Sequence, residues 1–326
     1  MPWTERGMYM KNTIVYDNIY KAIEALEPAH VILQNEGMPG GLIRHQNFTL
    51  LDMGDGTVGA FPLEMSMRYY RGENDVYEHC YSNLYRIADE ADRIIWQIKT
   101  EDFVLLLKRH EEIQRKIAQK EYVEFTALAQ HYEFPTNMLD VTNDLLVAAY
   151  FATHVTSPVT GEWEIRAEGL GRIRWSIEHV TPVGRLVPIG MQAFARPGAQ
   201  SAFGIYLEEG EDYAAESGSV LFRQDAAANQ SFHQTILGGP QLFFPEEGIS
   251  GLAKNIKQAA CVTAEAVEVF CRNTGHDRAD IGELLRKKGI AVVDAPVADW
   301  CMLRRQSNAQ PSFARVPQLR PMMTIG

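Results

Sequence analysis

Apolar residues first recur at helical spacing. Ile14, Ile19, Ile23 and Leu26 share one face of residues 13–26, TIVYDNIYKAIEAL, which predicts an amphipathic helix. Residues 47–61 then alternate as a hairpin, with NFTLLDM and VGAF flanking a GDGT turn. Asp55-Gly56 favours that turn because glycine takes positive φ without steric cost. The turn also spells G-x-G-x-x-G at Gly54, Gly56 and Gly59. A dinucleotide-binding loop has to open a helix, however, and Ala60-Phe61-Pro62 does not begin one well. Met65–Gly72, MSMRYYRG, reads as a short strand. Leu84, Ile87, Ala91, Ile94 and Ile98, continued by Phe103–Leu107, predict a long helix from Leu84 to about Ala118. A second helix covers Tyr122–Tyr132, with Pro135 as its stop. Phe134–Val141 is then an extended connection to a helix over Leu145–Thr153. Thr142 or Asn143 can cap that helix, and Asp144 suits its positive end. Its small face (Leu145, Ala148, Ala149, Ala152) predicts close packing on a neighbour.

From Gly171 the period shortens. GRIRWSI, GRLVPI, AFGIYL, GSVLFR and SFHQTIL predict β-segments separated by Gly, Pro and acidic turns. Helices are expected again over Leu252–Phe270 and Ala279–Lys288, stopped by Gly289, with a strand at Ile290–Val293. No internal repeat is present. Helix, strands, long helices, strands and helices in that order indicate an α+β fold.

At 326 residues the chain can bury a large core. No stretch approaches the roughly 18–20 apolar residues of a membrane-spanning helix. The opening MPWTERGMYMKN lacks a signal peptide's apolar centre, so a cytoplasmic location is expected. Cys80, Cys261, Cys271 and Cys301 form no C-x-x-C pair, and neither a disulfide scaffold nor a bound metal is expected. The net charge of −11 argues against extended nucleic-acid binding or attachment to an anionic membrane. The basic run Lys108–Lys120 is interrupted by Glu111 and Glu112 and reads as a solvated helix face.

Three pieces carry candidate chemistry. The first is Tyr70-Arg71-Gly72 followed by Ser82-Asn83-Leu84-Tyr85-Arg86. The second is Gln130-His131-Tyr132-Glu133-Phe134-Pro135-Thr136, continued by Leu139-Asp140-Val141-Thr142 and the Leu145–Thr153 helix. The third is Arg196-Pro197-Gly198-Ala199-Gln200-Ser201-Ala202-Phe203. Together they resemble the FRG domain family, over roughly residues 45–300. The resemblance implies an FRG-like domain at 45–303, which leaves the helical segment at 1–44 before it and, after it, a tail at 304–326 whose QSNAQPS and two further prolines predict loose order. Glu133 stands where the family has glycine, and Asn137 where it has arginine. Val141 replaces an aromatic, and Ala202 a glycine.

A fainter similarity is to ADP-ribosyltransferases of the R-S-E class, carried by Arg71, Val141-Thr142-Asn143 and the AAYFA of Ala148–Ala152. It implies short antiparallel or mixed sheets in a split-sheet core with flanking helices. It also implies NAD as substrate, without a metal. Arg71, His131, Thr142 and Gln200 are then the candidate catalytic residues. Tyr70, Arg71, Gly72, Arg86, Tyr132, Asp140 and Arg196 are the candidate cofactor-binding residues. Such chemistry builds positive charge on a ribose and needs an acceptor beside it, an arginine for the diphosphate and an aromatic ring. The acceptor is not evident, because neither Glu162-Trp163-Glu164 nor Glu209-Gly210-Glu211 falls in a clear strand at the expected place. The functional expectation is ADP-ribose transfer to an unidentified macromolecule or NAD hydrolysis, as in a toxin or anti-phage effector. A non-catalytic nucleotide- or protein-binding module is the alternative, and a phosphoesterase or nuclease a further one.

Overall fold

The computed structural model describes residues 14–26, 48–52, 55–62, 68–157, 162–177, 185–190, 192–235 and 248–298. The strands are β1 (Val15–Tyr16), β2 (Phe48–Asp52), β3 (Val58–Pro62), β4 (Tyr69–Glu73), β5 (Met138–Thr142), β6 (His154–Thr156), β7 (Trp163–Ile165), β8 (Leu170–Ser176), β9 (Leu186–Pro188), β10 (Ala202–Tyr206), β11 (Gly218–Arg223), β12 (Cys261–Thr263) and β13 (Ala291–Val293). The helices are α1 (Ile19–Leu26), α2 (Glu90–Lys108), α3 (Glu111–Ala118), α4 (Phe125–His131), α5 (Leu145–Thr153), α6 (Ala195–Ala199), α7 (Tyr213–Glu216), α8 (Ala226–Thr235), α9 (Gly248–Gln258), α10 (Ala264–Thr274) and α11 (Arg278–Lys287).

Seven strands form one mixed sheet in the order β1-β11-β8-β4-β5-β10-β9. Its pairs are antiparallel except β1 with β11. Strand residues alternate between faces, and directly paired residues share a face. On one face Tyr70, Ile173 and Phe222 pack against α1, α5 and Phe232 of α8. On the other, Tyr69, Leu139, Val141, Phe203 and Ile205 pack with Cys80, Leu207 and Tyr213. The helical layer has its own cores, one joining α2, α4 and α9, the other α2, α10 and α11.

Strand β4 is held very differently by its two neighbours. It pairs with β8 along five residues, Tyr69–Glu73. It pairs with β5 at one register only, Tyr70 with Thr142. Beyond that rung the two strands separate, and the Arg71 Nη1 bridges the gap to the Asp140 carbonyl at 2.8 Å. The small face of α5 serves the purpose expected of it. Gly72 lies so close that a Cβ there would fall 1.8 Å from the Ala148 carbonyl oxygen.

Several boundaries differ from the expectations. The long helix over Leu84–Ala118 is a 3₁₀ turn (Leu84–Arg86), then α2, then α3. Asp89 caps α2 through the Asp92 N–H, and His110 is extended at ψ 132° before α3. The expected connection Phe134–Val141 contains a central strand, β5. The cap of α5 is Asp144, which accepts from Leu146 and Val147, and neither Thr142 nor Asn143. Residues 236–237 of SFHQTIL lie outside the described residues, and Ser231–Thr235 belong to α8 instead of a strand. Asp225 caps its first turn through Ala228 N–H, and Asn229 and Phe232 bury one side. The expected helix Leu252–Phe270 is interrupted by β12, after which Thr263 caps α10. At that break the buried Lys99 ammonium donates to the Lys257 and Ala259 carbonyls. The β2–β3 hairpin forms as expected, with Gly56 at φ 85°. Residues 65–67, Cys301 and the tail from Arg304 lie outside the described residues. Among the described residues no helix is long and apolar enough to cross a membrane.

A pair of histidines, His154 buried and His233 half-buried, ties the end of α5 to α8. His154 Nδ1 lies 2.9 Å from the Tyr150 carbonyl, and Nε2 lies 2.9 Å from His233 Nδ1. Burial, then the Tyr150 bond in opposition, then His233, together push the His154 pKa down to about 4. Above about pH 6.5 this imidazole is neutral in both native and unfolded chains. Below it the unfolded chain takes up a proton that the native state refuses until about pH 4. Stability therefore falls as pH drops through that window. Urea denaturation at about pH 7 and about pH 5 should show a smaller acid loss for His154→Gln than for the wild type. Equal losses would assign the acid sensitivity elsewhere.

Candidate functional site

The candidate site is built where β4 and β5 part. On β5, Leu139 and Val141 go into one core, so Asp140 and Thr142 face the opposite way. Asp140 Oδ2 accepts from Gln130 Nε2 at 3.2 Å, and Gln130 Oε1 accepts from the Thr136 hydroxyl at 2.7 Å. Thr142 Oγ1 donates to the Gln200 carbonyl at 2.8 Å and accepts from Asp144 N–H at 3.0 Å. The hydroxyl thus fastens the end of β5 to the turn that starts β10. Arg196 Nη1 donates to the His131 carbonyl at 2.6 Å, and its guanidinium lies 4.8 Å over the Tyr132 ring.

His131 is buried among these groups. Its pKa is pushed down, chiefly by burial and further by the Arg196 charge, against the opposing pull of Asp140 and Gln200. The imidazole is therefore neutral near pH 7. Its Nε2 is a buried atom without a hydrogen bond of normal geometry, as are Asp140 Oδ1, Arg71 Nε and Ser82 Oγ. Buried polar atoms are nearly always satisfied, so a group of orphans on neighbouring segments calls for an explanation.

The opposite side of the split carries charge. Arg71, Glu73, Arg172 and Arg174 share the face of β4 and β8 away from α5. Glu73 accepts from Arg174 Nε at 2.9 Å and from Arg172 Nη1 at 3.4 Å. The Tyr77 carbonyl accepts from both arginines. The buried Cys80 thiol sits beside this group. Burial pushes its pKa up, and Arg71 pulls it partly back.

The structure thus gathers Arg71, His131, Asp140, Thr142, Arg196 and Gln200 around the split. Arg86 lies on the segment after β4, which is tied to the residues before β5 by the Leu84 N–H to Thr136 carbonyl bond, and its Nε donates to the Tyr81 carbonyl at 3.0 Å. Tyr70 and Tyr132 are 1% and 2% exposed, and their rings lie in two separate cores. Gly72 faces α5. Residues that sequence reasoning passed over are Glu73, Arg172 and Arg174. Their alternation in YRGE and GRIRW was visible, but the register that sets them opposite each other was not.

Two departures from the family pattern also find places. Glu133 occupies the left-handed region at φ 67°, the conformation that favours glycine. Its carboxylate accepts from Lys257 Nζ at 2.7 Å. Val141 packs in the core beside Tyr69 and Phe203. Neither Glu-x-Glu reaches the split. Glu164 is exposed on β7, and Glu209 and Glu211 pair with Arg93 and Arg185. Among the described residues no group of His, Cys, Asp and Glu converges to hold a metal ion. A surface groove of about 340 Å³ lies between the hairpin tip at Asp55–Thr57 and residues Ile117–Phe125, and it shares no residue with this site.

Residues 66–160 match the FRG domain family model. The chain carries an FRG domain. No curated protein and no solved structure matches the chain. The FRG match takes in β4, the Arg86 segment, α4, β5 and α5, hence Arg71, His131, Asp140 and Thr142. Arg196 and Gln200 come from outside the matched residues and meet the FRG segment through His131 and Thr142.

Proposed function

We propose that the FRG domain binds NAD at the split between β4 and β5, and there transfers ADP-ribose or hydrolyses NAD. The observation that carries this is the convergence of three separate sequence pieces. Arg71, Thr142 and the Gln200 turn sit on or beside three adjacent strands, β4, β5 and β10. Along the chain, Arg71, Thr142 and Gln200 come in the order that the similarity to R-S-E transferases implies. Orphaned polar atoms on Arg71 and Asp140 supply a donor and an acceptor that a nucleotide needs.

The chemistry suits these groups. When the nicotinamide–ribose bond breaks, its electron pair leaves with nicotinamide, and positive charge builds on the sugar. The Asp140 carboxylate is the acceptor at hand to stabilise that charge. The attacking hydroxyl, from water or from an acceptor macromolecule, must lose a proton, and the neutral His131 can take it. Arg71 holds the diphosphate, Gln200 bonds the sugar, and Thr142 braces the Gln200 turn. Such an activity would suit a toxin or an anti-phage effector.

A second proposal, binding without turnover, is favoured by the position of the two Glu-x-Glu motifs away from the split. Calorimetric titration with NAD and assay of released nicotinamide separate the two. Arg71→Lys and Gln200→Ala are each expected to weaken binding or turnover about tenfold, the effect of losing a charged or well-placed hydrogen bond of roughly 1.5 kcal/mol. Their melting temperatures monitor folding. Binding without nicotinamide release would leave the module. Neither binding nor release at millimolar NAD would remove both.

A further inference from the structure

The arrangement of charge on β4 and β8 asks for an anion. Three guanidiniums, of Arg71, Arg172 and Arg174, share one sheet face with a single carboxylate, Glu73. Arg71 stands directly opposite Arg174 across the strand pair, and like charges in that relation repel. Glu73 is already shared between Arg172 and Arg174 and forms no ion pair with Arg71. The adjoining strand brings no relief, because Ser219 and Leu221 are the residues opposite Arg174 and Arg172. Asp140 bonds Gln130 from the other face, so its charge, like that of Glu73, favours the Arg71 guanidinium only through space and without an ion pair. Asp212, the acid beside Cys80, is engaged by His79 and by the Cys80 and Ala214 N–H groups.

The side chains involved are well removed from water. Those of Arg174 and Glu73 are each 4% exposed. Charges at such depth are costly unless they are paired. Arg71 Nε and Arg172 Nε are buried donors without acceptors. At the outer edge, Arg86 is exposed, held by a backbone carbonyl and by no carboxylate among the described residues. Burial pushes its pKa down, and the nearby Arg71 charge pushes it down further.

We propose that this face binds a phosphate-type oxyanion between Arg71 and Arg86, with Arg172 and Arg174 supplying the field behind it, and that the natural occupant is the diphosphate of a nucleotide. Paired guanidiniums offer planar forks that match phosphate oxygens better than any other side chain. The site rests on the NAD proposal only for the molecule that carries the phosphate.

The test is calorimetric titration of the whole protein with inorganic pyrophosphate and separately with NAD, comparing the wild type with Arg86→Gln. Pyrophosphate should bind, more weakly as salt is added, and Arg86→Gln should weaken it about tenfold. Because Arg86 is exposed, the variant should melt where the wild type does. No pyrophosphate binding at millimolar concentration would overturn the site, as would equal binding by the variant. Pyrophosphate binding without NAD binding would keep the oxyanion site and remove the NAD proposal. NAD binding that ignores both pyrophosphate and Arg86→Gln would do the reverse.

Discussion

Gly72→Ala should destabilise the fold by about 3 kcal/mol, an overpacking cost at the upper end for a single added methyl group. The added carbon would lie 1.8 Å from the Ala148 oxygen and 2.7 Å from the Ala152 nitrogen, both backbone atoms of α5. A side chain can turn aside, but a helix backbone moves only as a body. Gly204→Ala provides the contrast. Its added carbon would meet the Met138 sulfur at 2.3 Å, the far part of a flexible side chain. Methionine adapts readily, so the cost there should be smaller, about 1 kcal/mol. Urea denaturation of the two variants measures both. Equal losses would mean that α5 can retreat from β4.

Glu73→Gln should cost about 3 kcal/mol, although the two side chains are nearly the same shape. It removes the one carboxylate that pairs with Arg172 and Arg174 while leaving their charges in place. Removing one partner of a buried pair leaves an uncompensated charge, which is worse than never having had the pair. Added pyrophosphate should restore part of the lost stability, because an anion bound only by the native state stabilises it by mass action. Chemical denaturation with and without pyrophosphate gives both numbers. A variant as stable as the wild type would show that the three arginines do not need Glu73.

How much of this was legible in the sequence depends on the range of the interactions. The β2–β3 hairpin and the close-packed face of α5 were readable, because turn chemistry and helical spacing are local. The break between α2 and α3 was not, because both segments continue the same apolar period and the division rests on the local cap at His110. SFHQTIL misled because its apolar residues fit either period, and burial of Phe232 and Asn229 decided for helix. Within the site, Arg71, His131, Asp140, Thr142 and Gln200 were named from motif pieces, and their neighbourhood in space follows from the strand order. Glu73, Arg172 and Arg174 depend on the register between β4 and β8, two strands separated by about a hundred residues. No local pattern encodes such a register.

The single rung between Tyr70 and Thr142 divides the sheet into two plates. One plate is β1-β11-β8-β4, the other β5-β10-β9. Within each, the strands are laced along their length; between them, among the described residues, stand one rung, the Arg71 bond to the Asp140 carbonyl and the packing of Tyr69 on Phe203. Parting the plates there would leave both ladders whole. Backbone amides beside the crack should then exchange with solvent through small local openings, while those inside each plate wait for larger ones. The arginine that bridges the gap would be both the latch of the crevice and the first group an entering anion meets.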